Sequence, residues 1–130
     1  MIYQYLSREA YWCKGVPQAT VQKAIDNSLC FGLYCHEQQI GFARMITDHA
    51  TFAYLSDVFV LPAHRGHGLS KWLMQCIFTH PELQDLRRIM LATADAHGLY
   101  SQFGFEALDH PERFMQIVNA DVYQSEESVN

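Results

Sequence analysis

Residues 62–71, PAHRGHGLSK, place two glycines, two histidines, an arginine and a lysine directly after the apolar run VFVL. If a strand ends there and a helix begins, the first N–H groups of that helix have no internal partner. With the helix dipole behind them, such amides form an anion site. Glycine at 66 and 68 would let a phosphate approach, and Arg65 and Lys71 add fixed positive charge. A diphosphate suits this chemistry. The same glycines also fit a tight strand-to-helix turn whose demand is conformational only. The pattern is neither a Walker loop nor GxGxxG, because Lys71 stands where a third glycine would be needed.

Other residues carry chemistry of their own. Asp57 places a carboxylate inside the apolar stretch YLSDVFVL, where an unpaired buried charge would be very costly. It could bind a substrate ammonium or relay its proton. Equally, it could face solvent or pair with a cation such as Arg44. Ser56 and Tyr54 are neighbouring candidates for substrate contact, and Tyr11, Trp12 and Tyr34 are aromatic candidates for a pocket or for core packing. His64 and His67 form an H-x-x-H pair without a carboxylate or cysteine at ligand spacing, so a metal site is the weaker reading. In the glycine turn these histidines would flank phosphate or adenine.

The elements that must position these residues are readable from periodicity. Ile2, Leu6 and Ala10 recur at four-residue intervals, as in a helix. Pro17 suits a first helical residue, with Val21, Ala24 and Ile25 as the apolar stripe of a second helix reaching about Asn27. Residues 29–35 and 39–47 predict antiparallel strands joined by a short turn, and 51–61 a third strand stopped by Pro62. Leu69, Trp72, Leu73, Cys76 and Ile77 then define a helical face, ended by His80 before Pro81. Residues 88–93 read as a strand covered on both faces. Asp95 predicts the cap of a short helix carrying Leu99 and Phe103, ended by Gly104 in the left-handed conformation, and residues 113–118 predict a closing strand. The fold class is α/β: a mixed, mostly antiparallel central sheet with helices on both faces.

A chain of 130 residues with 49% hydrophobic content suits one domain with a real core, here expected over residues 1–123, followed by a flexible tail over 124–130. The net charge of −5 argues against a nucleic-acid partner, which would need a clustered basic face, and mildly favours a cationic one. No apolar run approaches the roughly 20 residues of a bilayer span, and no secretory leader is evident, so no membrane role is expected. Cys13, Cys30, Cys35 and Cys76 lack CxxC spacing and sit among apolar neighbours, which predicts packed, reduced thiols in a cytoplasmic protein.

The segment VLPAHRGHGLS resembles the acetyl-CoA signature of the GNAT-type N-acetyltransferases. Val60 and Pro62 end the strand, and Arg65, Gly66, His67, Gly68, Leu69 and Ser70 follow, with serine where the family has glycine or alanine. Downstream, GLYSQFGFEAL supplies the family's tyrosine before Gly-Phe, as Tyr100, Phe103, Gly104 and Phe105. The resemblance covers residues 29–118. It implies that the usual first strand is missing, and an edge so exposed could pair with a second copy in a homodimer.

It further implies that acetyl-CoA, as cosubstrate, enters where the strand ending at Val60 splays from the one near Arg88. The main chain of Val58, Phe59 and Val60 would hydrogen-bond the pantetheine, and the N–H of Phe59 or Val60 would face the thioester oxyanion. The amides from Gly66 to Lys71 would hold the pyrophosphate. Tyr100 would protonate the departing thiolate, and Asp57 would assist the acceptor, a primary amine on a small molecule or, as a lesser alternative, on a peptide or protein. The competing reading is a non-catalytic module that binds acyl-CoA as a sensor or interaction scaffold.

Overall fold

The computed structural model describes residues 1–10 and 13–123. Tyr11, Trp12 and the segment 124–130 singled out from sequence lie outside the described residues. Two helices come first, α1 (Ile2–Arg8) and α2 (Gln18–Asp26). Three strands follow: β1 (Leu29–Cys35), β2 (Gln38–Thr47) and β3 (Phe52–Val60). Then come α3 (Leu69–Thr79), β4 (Arg88–Leu91) and α4 (His97–Ser101). The sheet order is β1-β2-β3-β4, with β1/β2 and β2/β3 antiparallel and β3/β4 parallel. This is the mixed sheet expected from sequence. No described helix is long and apolar enough to cross a membrane.

Each face of the sheet carries its own core. On one face, Leu73, Met74 and Ile77 of α3 and Tyr100 of α4 pack with Ala43, Met45, Ala53, Leu55 and Val60. On the other, Leu6 and Ala10 near α1 and Val21 of α2 pack with Phe42 and Phe59. The β2–β3 hairpin is closed by Asp48, whose carboxylate accepts from the Thr51 hydroxyl and from the N–H groups of Ala50, Thr51 and Phe52. Those bonds, the Thr51 hydroxyl first, hold its carboxyl well below the usual carboxylate range.

Several sequence expectations shift. Pro17 precedes the first helical turn as its N-cap rather than opening it. The inner face of α3 is Leu73, Met74 and Ile77, whereas Trp72 is 53% exposed and Cys76 points to solvent. At about 100° per residue, 72 and 76 fall on the outer flank once 73, 74 and 77 face the sheet. Cys35 is also exposed, at the end of the edge strand β1, so only Cys13 and Cys30 are the packed thiols expected. Asp95 does not cap α4; the Thr93 hydroxyl accepts from the N–H groups of Asp95 and Ala96 instead. Gly104 takes the expected positive φ, +92°.

The largest departure is at the end of the chain. Residues 113–118 form no strand: after a 3-10 turn at Pro111–Arg113 they run unpaired, with Met115 96% and Ile117 102% exposed. Apolar alternation gives the segment a strand's propensity, but no described strand lies beside it.

The packing of α3 predicts unequal costs along one helix. Ile77→Ala should lower stability in urea unfolding by about 2–5 kcal/mol through the cavity it leaves. Trp72→Ala should change it by no more than about 0.5 kcal/mol, as surface positions do.

Candidate active site

The site is built where β3 stops behaving as a regular strand. Phe42 pairs with Phe59 and Arg44 with Ser56, so Asp57 and Val58 stand opposite Ala43 alone. This is a β-bulge, and Asp57 takes the left-handed conformation at φ +54°. Aspartate tolerates that region better than most side chains. The extra residue changes which side chains face which core: Ala53 and Leu55 before the bulge, and Val58 and Val60 after it, all lie on the α3 face, with Phe59 on the other.

The bulge also ends the pairing with β4. The parallel register runs from Phe52–Arg88 to Leu55–Leu91 and stops, while β3 continues to Val60. The strands therefore diverge, and a cavity of about 230 Å³ opens between them. Tyr54–Val58 form one wall, Leu91–Thr93 the other, and Tyr100 of α4 lines it as well. Tyr100 is buried, and its ring meets Phe105 edge-on at 6.0 Å between centroids.

At the end of β3 the chain turns through Pro62–His64 into the glycine segment. Gly66 and Gly68 both have positive φ, +84° and +74°, and a Cβ on either would meet nothing within 4 Å. Conformation therefore requires glycine here, and the space in front of the turn is open. Gly68 is the N-cap of α3, and no side chain caps that helix end. His67 and Lys71 are exposed beside it, and Leu69 and Ser70 are half-buried.

Arg65 departs from its expected place. Its Nε donates to the carbonyl oxygen of Val60 at 2.8 Å and one terminal nitrogen donates to the Tyr5 hydroxyl at 2.9 Å. The guanidinium thus turns back on the protein and ties the glycine turn to the end of β3 and to α1. Tyr5 in turn stacks on Phe59, 4.0 Å between centroids and 11° between planes. Sequence reading passed over Tyr5: it lies 60 positions from Arg65, and no local pattern marks a tyrosine that fastens a distant loop.

Asp57 also has a structural answer. Arg44 Nε donates to its Oδ2 at 2.8 Å, with side-chain exposures of only 14% and 9%. The remaining guanidinium nitrogens donate to Ser28 Oγ at 3.1 Å and Ser56 Oγ at 3.4 Å. Of the readings open from sequence, the structure shows the pairing with Arg44. Asp57 and Arg44 border a small cavity of about 90 Å³ beneath α1 and α2, shared with Cys13 and Tyr123. Burial pushes the Cys13 thiol up to about 12, and the nearby Asp57 charge pushes in the same direction against the weaker opposing effect of Arg44. Tyr34 stands 61% exposed on β1, two strands away from β3, and has no place in this site. Among the described residues, no three His, Cys, Asp or Glu side chains converge as metal ligands would.

The sequence pattern of the acetyltransferase (GNAT) domain family matches residues 26–107. A protein of Gibberella zeae named as an acetyltransferase is 34% identical over 113 residues, covering 71% of this chain. The chain spans only 63% of that relative's length. The crystal structure of a GNAT-family acetyltransferase from Xanthomonas campestris pv. campestris superposes with a TM-score of 0.91 at 52% identity, covering 94% of this chain and 86% of that one. An acetyltransferase from Clostridium acetobutylicum crystallised with acetyl-CoA superposes at TM-score 0.58 over 77% of this chain and 70% of that one; at 14% identity the likeness is one of fold.

Two outcomes follow from the buried ion pair and its neighbour. Arg44→Ala should destabilise the protein by about 3–5 kcal/mol by removing the cation that faces the buried Asp57 carboxylate, and adding Asp57→Asn should recover much of that loss in urea unfolding. Cys13 should react with iodoacetamide at neutral pH far more slowly than Cys35 and Cys76, read by peptide mass. Because the fold holds the Cys13 proton more tightly than the unfolded chain does, its stabilising contribution is complete below pH 9.0 and declines as pH climbs toward about 12.

Proposed function

The chain belongs to the GNAT acetyltransferase family, and from that premise we propose that it transfers an acetyl group from acetyl-CoA to a primary amine on a small molecule. The observation that carries this reading is the gap opened by the β3 bulge, together with the helix end after the same strand that is left uncapped behind two positive-φ glycines. A long, thin thioester arm joined to a diphosphate matches that shape and chemistry. The acetyl-CoA held by the Clostridium acetobutylicum protein of the same fold supports the choice of donor.

In this reading the pantetheine arm lies along Val58, Phe59 and Val60, adding to the part of β3 that β4 leaves unpaired. The diphosphate meets the amides from Gly66 to Lys71, with His67, Leu69 and Ser70 around it. The N–H of Phe59 or Val60 serves as oxyanion donor, and the packing of Phe59 against Tyr5 and Phe42 holds that donor still. Arg65 acts by fixing the Val60 carbonyl and thereby the path of the turn.

The acceptor must lose a proton to water or a base before its nitrogen can attack the thioester carbon. As the tetrahedral intermediate collapses, the attacking nitrogen gives its extra proton to solvent, the C–S bond breaks and the thiolate takes a proton from the Tyr100 hydroxyl, which regains one from solvent. Asp57 is assigned a positioning role: paired to Arg44, it holds the bulge that presents the main chain. The four free thiols fit a reducing compartment, and we place the protein in the cytoplasm on that ground.

The test couples binding to turnover. Release of free CoA, measured against a panel of amines, should appear with at least one primary amine; binding of acetyl-CoA without release under any amine would favour the sensor reading. Tyr100→Phe should keep acetyl-CoA affinity and lose roughly 10²–10⁴ of the rate, as removal of a general acid does. Gly68→Ala imposes the conformational strain alone, whereas Gly68→Trp also fills the space in front of the helix. Calorimetry should show binding retained by the first and abolished by the second, and normal affinity in the tryptophan variant would remove the diphosphate from this turn.

A further inference from the structure

Alternation along the strands decides which side chains share a face. Met45, Ala53, Leu55, Ile89 and Leu91 pack in the core beneath α3 and α4, so Ile46, Tyr54 and Met90 stand on the opposite face. The register sets them side by side: Ile46 is opposite Tyr54, and Tyr54 is opposite Met90. Phe52, two positions before Tyr54, adds a ring to the same face.

Helices α1 and α2 cover only part of this face. Their core reaches Phe42, Phe59 and Cys30, whereas Ile46 and Phe52 are 42% and 37% exposed and Tyr54 and Met90 are half-buried. An apolar floor is thus open to solvent across three strands. It leads to the gap beside β3, because Tyr54 belongs to both and Ser56, one row further along β3, lines the gap. The gap's opposite side is occupied by Leu55, Val58 and Tyr100, which belong to the core beneath α3 and α4. Its lining includes two carboxylates, Asp57 and Asp95, and no Lys, Arg or His among the described residues. Arg44 is engaged with the first, and the second is exposed.

We propose that the acceptor is a primary amine with an apolar body, an aryl group or short alkyl chain that lies on Ile46, Tyr54 and Met90 while the nitrogen enters the gap. This rests on the acetyl-transfer reading and names the class of acceptor it uses. Charge and length both fit. An ammonium complements a gap lined by carboxylates without a cation. Two residues along a strand span about 6.6 Å, the step from Ser56 to Tyr54, and a phenyl ring joined to nitrogen through an ethylene link covers that distance.

Such a floor discriminates among amines. An amino alcohol of the same length gains nothing from side chains that cannot hydrogen-bond it, and a diamine would bring its second ammonium over a surface that cannot pair with it. Ile46 and Met90 are therefore specificity residues: they touch the acceptor's body and take no part in the chemistry.

CoA release along a series of straight-chain amines tests this on the wild type. From ethylamine to hexylamine, kcat/KM should rise roughly two- to fourfold for each methylene added. 2-Phenylethylamine should exceed ethanolamine by at least roughly tenfold. Ile46→Ser should lower the ratio of kcat/KM for hexylamine over ethylamine by at least roughly threefold, and Ile46→Leu should restore it. Tyr34→Ser, on the far edge strand β1, should leave that ratio as it is. A series flat in chain length, ethanolamine used as well as 2-phenylethylamine, a wild-type ratio in Ile46→Ser, or a ratio lowered by Tyr34→Ser would each overturn the apolar floor and leave acetyl transfer standing. Acetyl-CoA bound without release under any amine would remove the acetyl-transfer reading, and this inference with it.

Discussion

One additional residue in β3 determines most of what lies around it. Because Asp57 and Val58 together oppose Ala43, the strand bends, its side-chain alternation shifts by one, and its pairing with β4 ends at Leu55. A regular strand would turn Val58 and Val60 out of the α3 core and bring Phe59 into it, since a one-residue slip reverses every side chain beyond. It would also bring Ser56 and the residues after it alongside Ala92 and Thr93, closing the gap that Tyr100 lines. The bulge is sustained by contacts on the opposite face. Arg44 holds the Asp57 carboxylate, and Tyr5 and Phe42 hold the Phe59 ring. The face beneath α1 and α2 therefore shapes the gap indirectly.

That arrangement explains why some of the site was readable from residues and some was not. The boundaries of α3 follow from local chemistry, a left-handed glycine before it and a pre-proline residue after it, and both are where sequence places them. Its buried face is harder, because stripes through 69, 72, 73, 76 and 77 and through 73, 74 and 77 overlap, and only the position of the sheet chooses between them. Asp57 reads equally well as a reacting or a paired carboxylate until the register with β2 brings Arg44 within reach, 13 positions away. Asp95 could cap the helix that follows it, but the Thr93 hydroxyl instead accepts from the N–H groups of Asp95 and Ala96 in the turn before α4, and no side chain caps that helix.

Residues 113–118 show the same limit at the level of a whole element. Alternating apolar side chains record a propensity to pair, and propensity is a property of the segment. A strand is a relation between two segments, and among the described residues none pairs with this one. The bare side chains of Met115 and Ile117 follow from that missing pairing.

Charge poses the last constraint. The chain carries a net charge of −5, and the proposed donor is itself a polyanion, so the long-range field opposes the encounter. Attraction must come from within a few ångströms. Arg65, the cation nearest the turn in sequence, is occupied with Val60 and Tyr5. What remains is the exposed Lys71 and the oriented amides of an uncapped helix end, whose partial charges act at short range and are fixed in place before any ligand arrives. Such a site selects by geometry more than by net charge, because only a group that reaches the amides is held. In the proposed reading recognition depends on the positive φ of Gly66 and Gly68, where an added Cβ would meet nothing within 4 Å among the described residues.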